Sequence, residues 1–371
     1  MTSITPFRID ISDAAIADLR ERLAMTRWPQ QVGPDWDRGQ ALGFVRELAD
    51  EWQNHFDWRA EETKLNRYPQ FLTEIEGQTI HFVHVKSKHT GALPLILTHG
   101  WPATFTEYFA LIEPLTNPAD GGQAYDVVLP SLPGFGFSMP LSGPGWGSAR
   151  VARAWDTLMK RLGYTHYGAV GNDLGSAVVK ELGARAPDGL VGIHIQQIFA
   201  FPQDPEAWTK LDAFEQAGMA NLEDWQKNNG YQRIQQSRPG TLAYGLSDSP
   251  TGLLAWLAEL PFGFNGGSAG SYDRTHFLTD ASLYWFTDTG GTAANMYLED
   301  HVANGGADEN KVSLPVGVAV FPEDFRSVRA HASVNNNIVH WTQMPEGGHF
   351  GAVTHPDLLA RDLRAFFGGL E

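Results

Sequence analysis

The chain contains no cysteine. That excludes a disulfide framework, a thiolate metal site and a cysteine nucleophile. Basic residues are scarce: 27 Lys and Arg stand against 43 Asp and Glu, a formal charge of -16. A surface for nucleic-acid phosphates needs clustered Lys and Arg, so no nucleic-acid partner is expected. Long apolar runs are missing as well, none approaching the ~18 to 20 residues of a membrane span. The start, Met1-Thr-Ser-Ile-Thr-Pro-Phe-Arg8, has no basic head leading into an apolar stretch, which argues against a secretory signal and a membrane anchor. What is present is 371 residues, 42% hydrophobic and 19% charged. This is a globular composition, long enough for two to three domain-sized units. A cytoplasmic enzyme is the expectation, with the homodimer common among such enzymes. Twelve Trp and 21 Phe suggest aromatic-lined space, although most aromatics fill cores.

The first stretch reads as a helical arm. Ser12 can cap a helix whose Ile16, Leu19 and Leu23 recur at spacings of three and four, and Trp28-Pro29 ends it. A second helical pattern runs from Ala41 to Trp52. Strand signals begin near Phe71, where two short strands flank Gly77 as a hairpin. Short apolar runs then recur at Pro94–His99, Tyr125–Pro130 and Tyr167–Gly171, with helical patterns at Thr106–Leu115 and Ala149–Leu162 between them. Buried strands alternating with helices predict an α/β chain with a mostly parallel sheet and helices on both faces. After Gly192-Ile-His-Ile195 the alternation stops. From 201 to about 304 the chain is helical and Trp-rich, and then Val316–Phe321, Ile338–Thr342 and a helix at Pro356–Phe367 resume the pattern. The predicted organisation is an N-terminal helical extension at 1–70, an α/β core at 71–200 and 305–371, and a helical lid at 201–304.

Three motifs sit just past predicted strands. In Gly171-Asn-Asp173-Leu-Gly175-Ser176, small residues flank an Asp between a strand and a helix. That suits a sharp elbow presenting residue 173, with Asp where the G-x-S-x-G pattern has Ser. The same residues also suit an Asp capping a plain strand-to-helix turn. Thr98-His99-Gly100-Trp101-Pro102 can aim the backbone N–H of Trp101 at a reaction centre, as the corresponding loop does in α/β-hydrolases. The His99 imidazole itself reads as structural. Gly347-Gly348-His349-Phe350 presents an imidazole after the last strand, and Phe321-Pro-Glu323-Asp324 places two acids after the strand before it. Elbow acid, second acid, histidine is the chain order of the α/β-hydrolase fold. Other patterns carry less. His81 and His84 fall on opposite faces of a strand and show no third ligand, so no metal site is expected. Neither glycine-rich stretch, at 134–138 or 143–147, runs from strand into helix with dinucleotide-binding spacing.

Taken together, the sequence resembles the microsomal-type epoxide hydrolases, including juvenile hormone epoxide hydrolases and bacterial relatives, along almost its whole length. The resemblance rests on Pro6-Phe-Arg-Ile9, Leu19-Arg-Glu-Arg-Leu23, Thr26-Arg-Trp-Pro29, His99-Gly-Trp-Pro102, Leu132-Pro-Gly-Phe-Gly-Phe-Ser138, Gly171-Asn-Asp-Leu-Gly175, Ser247-Asp-Ser-Pro-Thr-Gly-Leu253 and Gly347-Gly-His-Phe350. It implies Asp173 as nucleophile, His349 as base and Asp324 as the supporting acid, with Glu323 as the alternative. It implies Tyr231 and Tyr297 as lid residues that assist ring opening, and the N–H groups of Trp101 and Leu174 as an oxyanion hole. Many relatives have Trp where this chain has Leu174. The activity implied is addition of water to an epoxide through an Asp173 ester, giving a vicinal diol without metal or organic cofactor. The substrate expected is a small-molecule epoxide of apolar or aromatic character. A haloalkane dehalogenase would use the same Asp chemistry but needs halide donors, which Leu174 does not supply. A non-enzymatic binding protein on this fold is the reading from another class.

Overall fold

The computed structural model describes residues 3–119, 121–200, 205–263, 272–304 and 310–370. Among the described residues, nine strands form one sheet in the order β1-β2-β3-β5-β4-β6-β7-β8-β9. They are β1 (Thr5–Phe7), β2 (Gln70–Ile75), β3 (Gln78–Val85), β4 (Leu93–Thr98), β5 (Tyr125–Pro130), β6 (Tyr167–Gly171), β7 (Leu190–Ile195), β8 (Val312–Val320) and β9 (Asn336–Gln343). The first three pair antiparallel at one edge, and β5, β4, β6, β7, β8 and β9 run parallel. This is the α/β-hydrolase fold.

Helices cover both faces. Adjacent strand residues point to opposite sides: a side chain at Gly192 would meet Phe366 and Leu370, whereas its neighbour Ile193 packs at Gly183. The Pro356–Phe367 helix therefore lies on one face and the Leu174–Arg185 helix on the other. Covered on both sides, the inner strands read as the unbroken apolar runs seen in the sequence.

The strand order places the motifs. β4 pairs with β5 on one side and β6 on the other, with Thr98 opposite Gly171. The chain thus leaves β4 and β6 at the point where strand order reverses, where a crevice opens at the carboxyl ends of an α/β sheet. The turns after β4, β6, β7, β8 and β9 all reach that edge, which brings Trp101, Asp173, Asp324 and His349 together.

The N-terminal arm is more than helical. Ser12 caps the Asp13–Ala24 helix through a hydrogen bond from the Ala15 N–H, and Ile16, Leu19 and Leu23 are buried as their spacing predicts. That helix ends at Ala24, short of Trp28-Pro29: Met25 and Thr26 close it onto the Glu21 and Leu23 carbonyls, and the Thr26 hydroxyl is held by Thr251 at 2.6 Å. Strand β1 went unpredicted, because three residues are too few to show a period of two. A third helix, Trp58–Leu65, also went unpredicted. It fastens the arm through Glu62, whose Oε1 accepts from the Ile11 N–H and the Trp58 indole.

Between β7 and β8 the described residues are helical, as expected. The first of this insertion's residues, 201–204, and the expected return to the core at 305–309 lie outside the described residues. The Arg274–Phe286 helix is clamped from two sides. Its Ser282 accepts from the Trp52 indole of the arm at 2.8 Å, and its Asp280 accepts from the Thr104 and Thr106 hydroxyls just beyond Trp101.

Close packing at the crevice requires glycine. A Cβ at Gly175 would lie 1.9 Å from the Thr98 carbonyl oxygen, and one at Gly171 would lie 2.2 Å from that of Gly175. Gly175→Ala should therefore destabilise the protein by more than about 3 kcal/mol. The control Gly240→Ala, in open space on a helix, should be neutral or stabilise by roughly 0.5–1 kcal/mol. Thermal or urea unfolding measures both, and equal stability of the two variants would contradict the packing described.

Candidate active site

Asp173 ends up where the elbow reading puts it. Its backbone has φ 52° and ψ -122° and its side chain caps nothing, so the plain capping alternative does not hold. A non-glycine residue with positive φ is strained by about 1–3 kcal/mol and persists only where its surroundings fix it. Here they do. Gly100 lies so close that a Cβ there would sit 2.3 Å from the Asp173 Cβ. The Trp101 N–H donates to Asp173 Oδ1 at 2.8 Å, and the nearby Leu174 N–H also favours the charged carboxylate. His99 is structural: Nδ1 meets the Gly100 carbonyl, Nε2 accepts from the Leu132 N–H, and burial lowers its pKa to about 4, keeping it neutral.

His349 joins the two acids. Its Nε2 lies 3.7 Å from Asp173 Oδ2 and its Nδ1 lies 3.0 Å from Asp324 Oδ1. Asp324 reaches the imidazole and Glu323 does not. Glu323 uses its N–H on the Gly347 carbonyl and leaves its side chain exposed. Gly347, at φ 97°, packs against Phe321 and His355 with no room for a Cβ, which sets the loop that carries His349.

Electrostatics follows from burial. Loss of water raises the Asp173 pKa, opposed by the His349 charge and the Trp101 and Leu174 N–H groups. Burial alone would lower the His349 pKa, but Asp324, Asp173 and Glu107 outweigh it and push it up to about 9. Asp324 is also buried, yet His349 and hydrogen bonds from His349, Gln197 and the Phe325 N–H hold its carboxyl below the usual range. These shifts favour an imidazolium at His349 facing the Asp324 carboxylate at neutral pH. An ordinary Asp ionises near pH 3.9 with no help, but the buried Asp173 leans on its neighbours.

A cavity of about 870 Å³ opens over Asp173, lined among others by Leu174, Phe199, Trp225, Tyr272 and Phe350. Tyr231 and Tyr297 line it too. Both are buried, and the Asp173 charge, after burial, helps raise the pKa of each. Tyr231 stacks on the Trp101 ring at 5.1 Å between centroids, and Tyr297 meets the same ring edge-on at 6.3 Å. The Tyr297 hydroxyl lies toward the Asp173 carboxylate without closing a hydrogen bond of ordinary geometry. A carboxylate facing two hydroxyls, with an imidazole behind it, can open a strained ring and then hydrolyse the resulting ester.

Known proteins share this chain's family along its length. Residues 4–108 match the epoxide hydrolase N terminus and residues 94–237 the alpha/beta hydrolase fold. A Stigmatella aurantiaca (strain DW4/3-1) protein named as a candidate epoxide hydrolase is 41% identical over 99% of this chain and 86% of its own length. The chain belongs to the epoxide hydrolases. Juvenile hormone epoxide hydrolase 2 of Ctenocephalides felis is 31% identical over 98% of the chain and 85% of its own length. The solved Aspergillus niger epoxide hydrolase superposes with a TM-score of 0.87 at 31% identity, covering 100% of this chain and 97% of that one.

Two residues of this epoxide hydrolase's site had no sequence signal. Gln197, just past β7, accepts from the Asp173 N–H and donates to Asp324. Glu107 is fully buried and accepts from the Asn172 amide at 2.8 Å, while Asn172 also donates to the His349 carbonyl. Burial raises the Glu107 pKa to about 8, partly offset by Asn172 and His349.

The site's charge balance is testable. In the resting enzyme His349 should titrate near pH 9, and Asp173→Asn should lower that value by removing one facing carboxylate. Nitrogen-15 NMR of the histidines, with His349→Gln for assignment, measures it. A His349 titrating at or below the ordinary 6.5 would contradict this geometry.

Proposed function

We propose that this enzyme hydrolyses epoxides to vicinal diols through an ester on Asp173. The observation that carries this reading is the placement of Asp173 between His349 Nε2, 3.7 Å away, and the cavity lined by Tyr231 and Tyr297. Asp173 attacks an oxirane carbon. The Tyr231 and Tyr297 hydroxyls donate to the departing oxygen, which would otherwise leave as a free alkoxide. A serine in this position would form an ether that water could not cleave, whereas a carboxylate forms an ester that water can.

Esterification removes the Asp173 charge. With that charge gone the His349 pKa falls, so the imidazolium gives up its proton to neutralise the newly opened alkoxide and is left neutral, able to act as a base. His349, oriented by Asp324, takes a proton from water attacking the Asp173 carbonyl carbon. The Trp101 and Leu174 N–H groups stabilise the oxyanion, and its collapse frees the diol and restores Asp173. The helical insertion between β7 and β8 serves as the lid, since it supplies both tyrosines. Phe199, Trp225, Tyr272, Phe350 and Leu174 favour a bulky apolar or aromatic epoxide.

The two half-reactions can be separated. Asp173→Ala should fold and lose all turnover. In a single turnover in oxygen-18 water, wild-type enzyme should place unlabelled oxygen in the first diol, and labelled oxygen there would mean direct attack by water. His349→Gln should still open the ring and should gain the mass of one substrate on Asp173. Its ring opening should also fail at a higher pH than in wild type, because the buried carboxylate has lost its cation. An inactive variant that never gains mass under saturating styrene oxide would refute this division of labour.

The tyrosines have their own test. Tyr231→Phe and Tyr297→Phe should each slow ester formation by ~10² or more, by analogy with lost oxyanion donors. Wild-type ester formation in both variants, followed by rapid quench and mass spectrometry, would remove them from the mechanism.

A further inference from the structure

Gln197 stands two residues beyond the end of β7, 2% exposed, with all four hydrogen-bonding valences of its amide directed into the site. Oε1 accepts from the Asp173 backbone N–H at 2.9 Å and lies 3.2 Å from the Ser176 hydroxyl. Nε2 donates to Asn172 Oδ1 at 2.7 Å and to Asp324 Oδ2. The amide has only one workable orientation. Turned over, its oxygen would face the Asn172 carbonyl oxygen and the Asp324 carboxylate, and its N–H groups would face the Asp173 N–H.

One side chain thus spans two turns that are distant in sequence. It holds the strained elbow by the N–H of Asp173, and it holds Asp324 by the carboxylate oxygen that His349 does not use. Through Asn172 it also reaches the carbonyl of His349. The donor bond stabilises the Asp324 anion, so Asp324 draws less strongly on the imidazolium proton. The charged groups facing His349 are Asp324, Asp173 and Glu107. Asp324 itself is faced by His349, Asp173 and the Tyr231 hydroxyl. On its own loop Glu323 is exposed, and Arg326 is spent on the Pro322 and Phe214 carbonyls. No other side-chain donor besides His349 is placed on Asp324 among the described residues.

We propose that Gln197 is a positioning residue that couples the elbow to the acid: it fixes the Asp173 backbone and sets how firmly Asp324 holds the proton on His349. This rests on the reading of Asp173 as nucleophile and His349 as base.

The test follows hydrolysis of the ester formed from styrene oxide, in single turnovers, as a function of pH. In wild type the rate should rise with pH along one limb, as His349 in the ester loses its proton. Gln197→Met removes the donor at similar volume. Its limb should move about one pH unit upward, as expected for loss of one charge-assisted hydrogen bond, so hydrolysis below the limb falls about tenfold. Gln197→Glu keeps the acceptor for the Asp173 N–H and puts a like charge beside Asp324, and its limb should also move upward. Should Gln197→Met not fold, Gln197→Glu is read by the same measure. A folded variant whose rate drops while its limb stays at the wild-type pH would overturn the proposal, since a merely structural side chain changes rates without moving the limb. Wild-type enzyme that forms no ester, or whose ester hydrolyses without a limb, would instead refute the Asp173–His349 reading and the proposal with it.

Discussion

A carboxylate held away from water is costly unless donors and cations face it, and Asp173 is such a group. Around it the molecule gathers the Trp101 N–H, the Leu174 N–H and the His349 imidazolium. They come from three different turns, and only Leu174 shares its turn with Asp173 itself. They meet because β4 and β6 are neighbours at the reversal of the sheet and because the loops after β8 and β9 are zipped together at Glu323 and Gly348. Asp324 then balances the imidazolium, and Gln197 fills the remaining carboxylate oxygen. Each added partner answers a charge left by the one before, so the network closes with few loose ends.

At the centre His349 Nε2 is buried and beyond hydrogen-bonding distance of Asp173, and neither it nor the Tyr297 hydroxyl across the carboxylate has a protein partner of ordinary geometry among the described residues. In the proposed mechanism the gap at Nε2 is where water is activated. The imidazole is held from behind by Asp324 and from its own backbone by Asn172, which leaves its front edge as the free one. Rigid support with one unsatisfied face is how a general base is prepared without being consumed by its own neighbours.

Much of this was legible in the sequence, for identifiable reasons. Strands buried on both faces leave apolar runs, and Gly171 and Gly175 mark the elbow because strand and helix backbones nearly touch there. His349 was legible through Gly347 and through chain order. Family resemblance favoured Asp324 over Glu323, because without it adjacent acids after a strand differ only in which one the backbone turns inward. Tyr231 and Tyr297 could be picked from ten tyrosines only by family resemblance. Gln197 and Glu107 left no local mark. The Gln197 partners lie 21 to 127 residues away, and the Asn172 partner of Glu107 lies 65 residues away, and an isolated Gln or Glu carries no periodicity. Strand β1 was invisible because its order comes from pairing with β2, not from its own three residues.

The Arg274–Phe286 helix has a practical consequence. Ser282 and Asp280 lie two positions apart and bind the arm and the turn beyond Trp101 respectively. The arm is thereby wired through one helix to the loop that carries a donor to Asp173. For an engineer, this divides the insertion into unequal halves. Randomising cavity-lining positions on the Ala213–Asn228 and Gly230–Gln235 helices reshapes the walls above the reacting carbon. Grafting residues 274–286 from a relative that lacks the arm would leave the buried Trp52 indole and the Thr104 and Thr106 hydroxyls without their acceptors, and the damage would surface at a turn that the graft never touches.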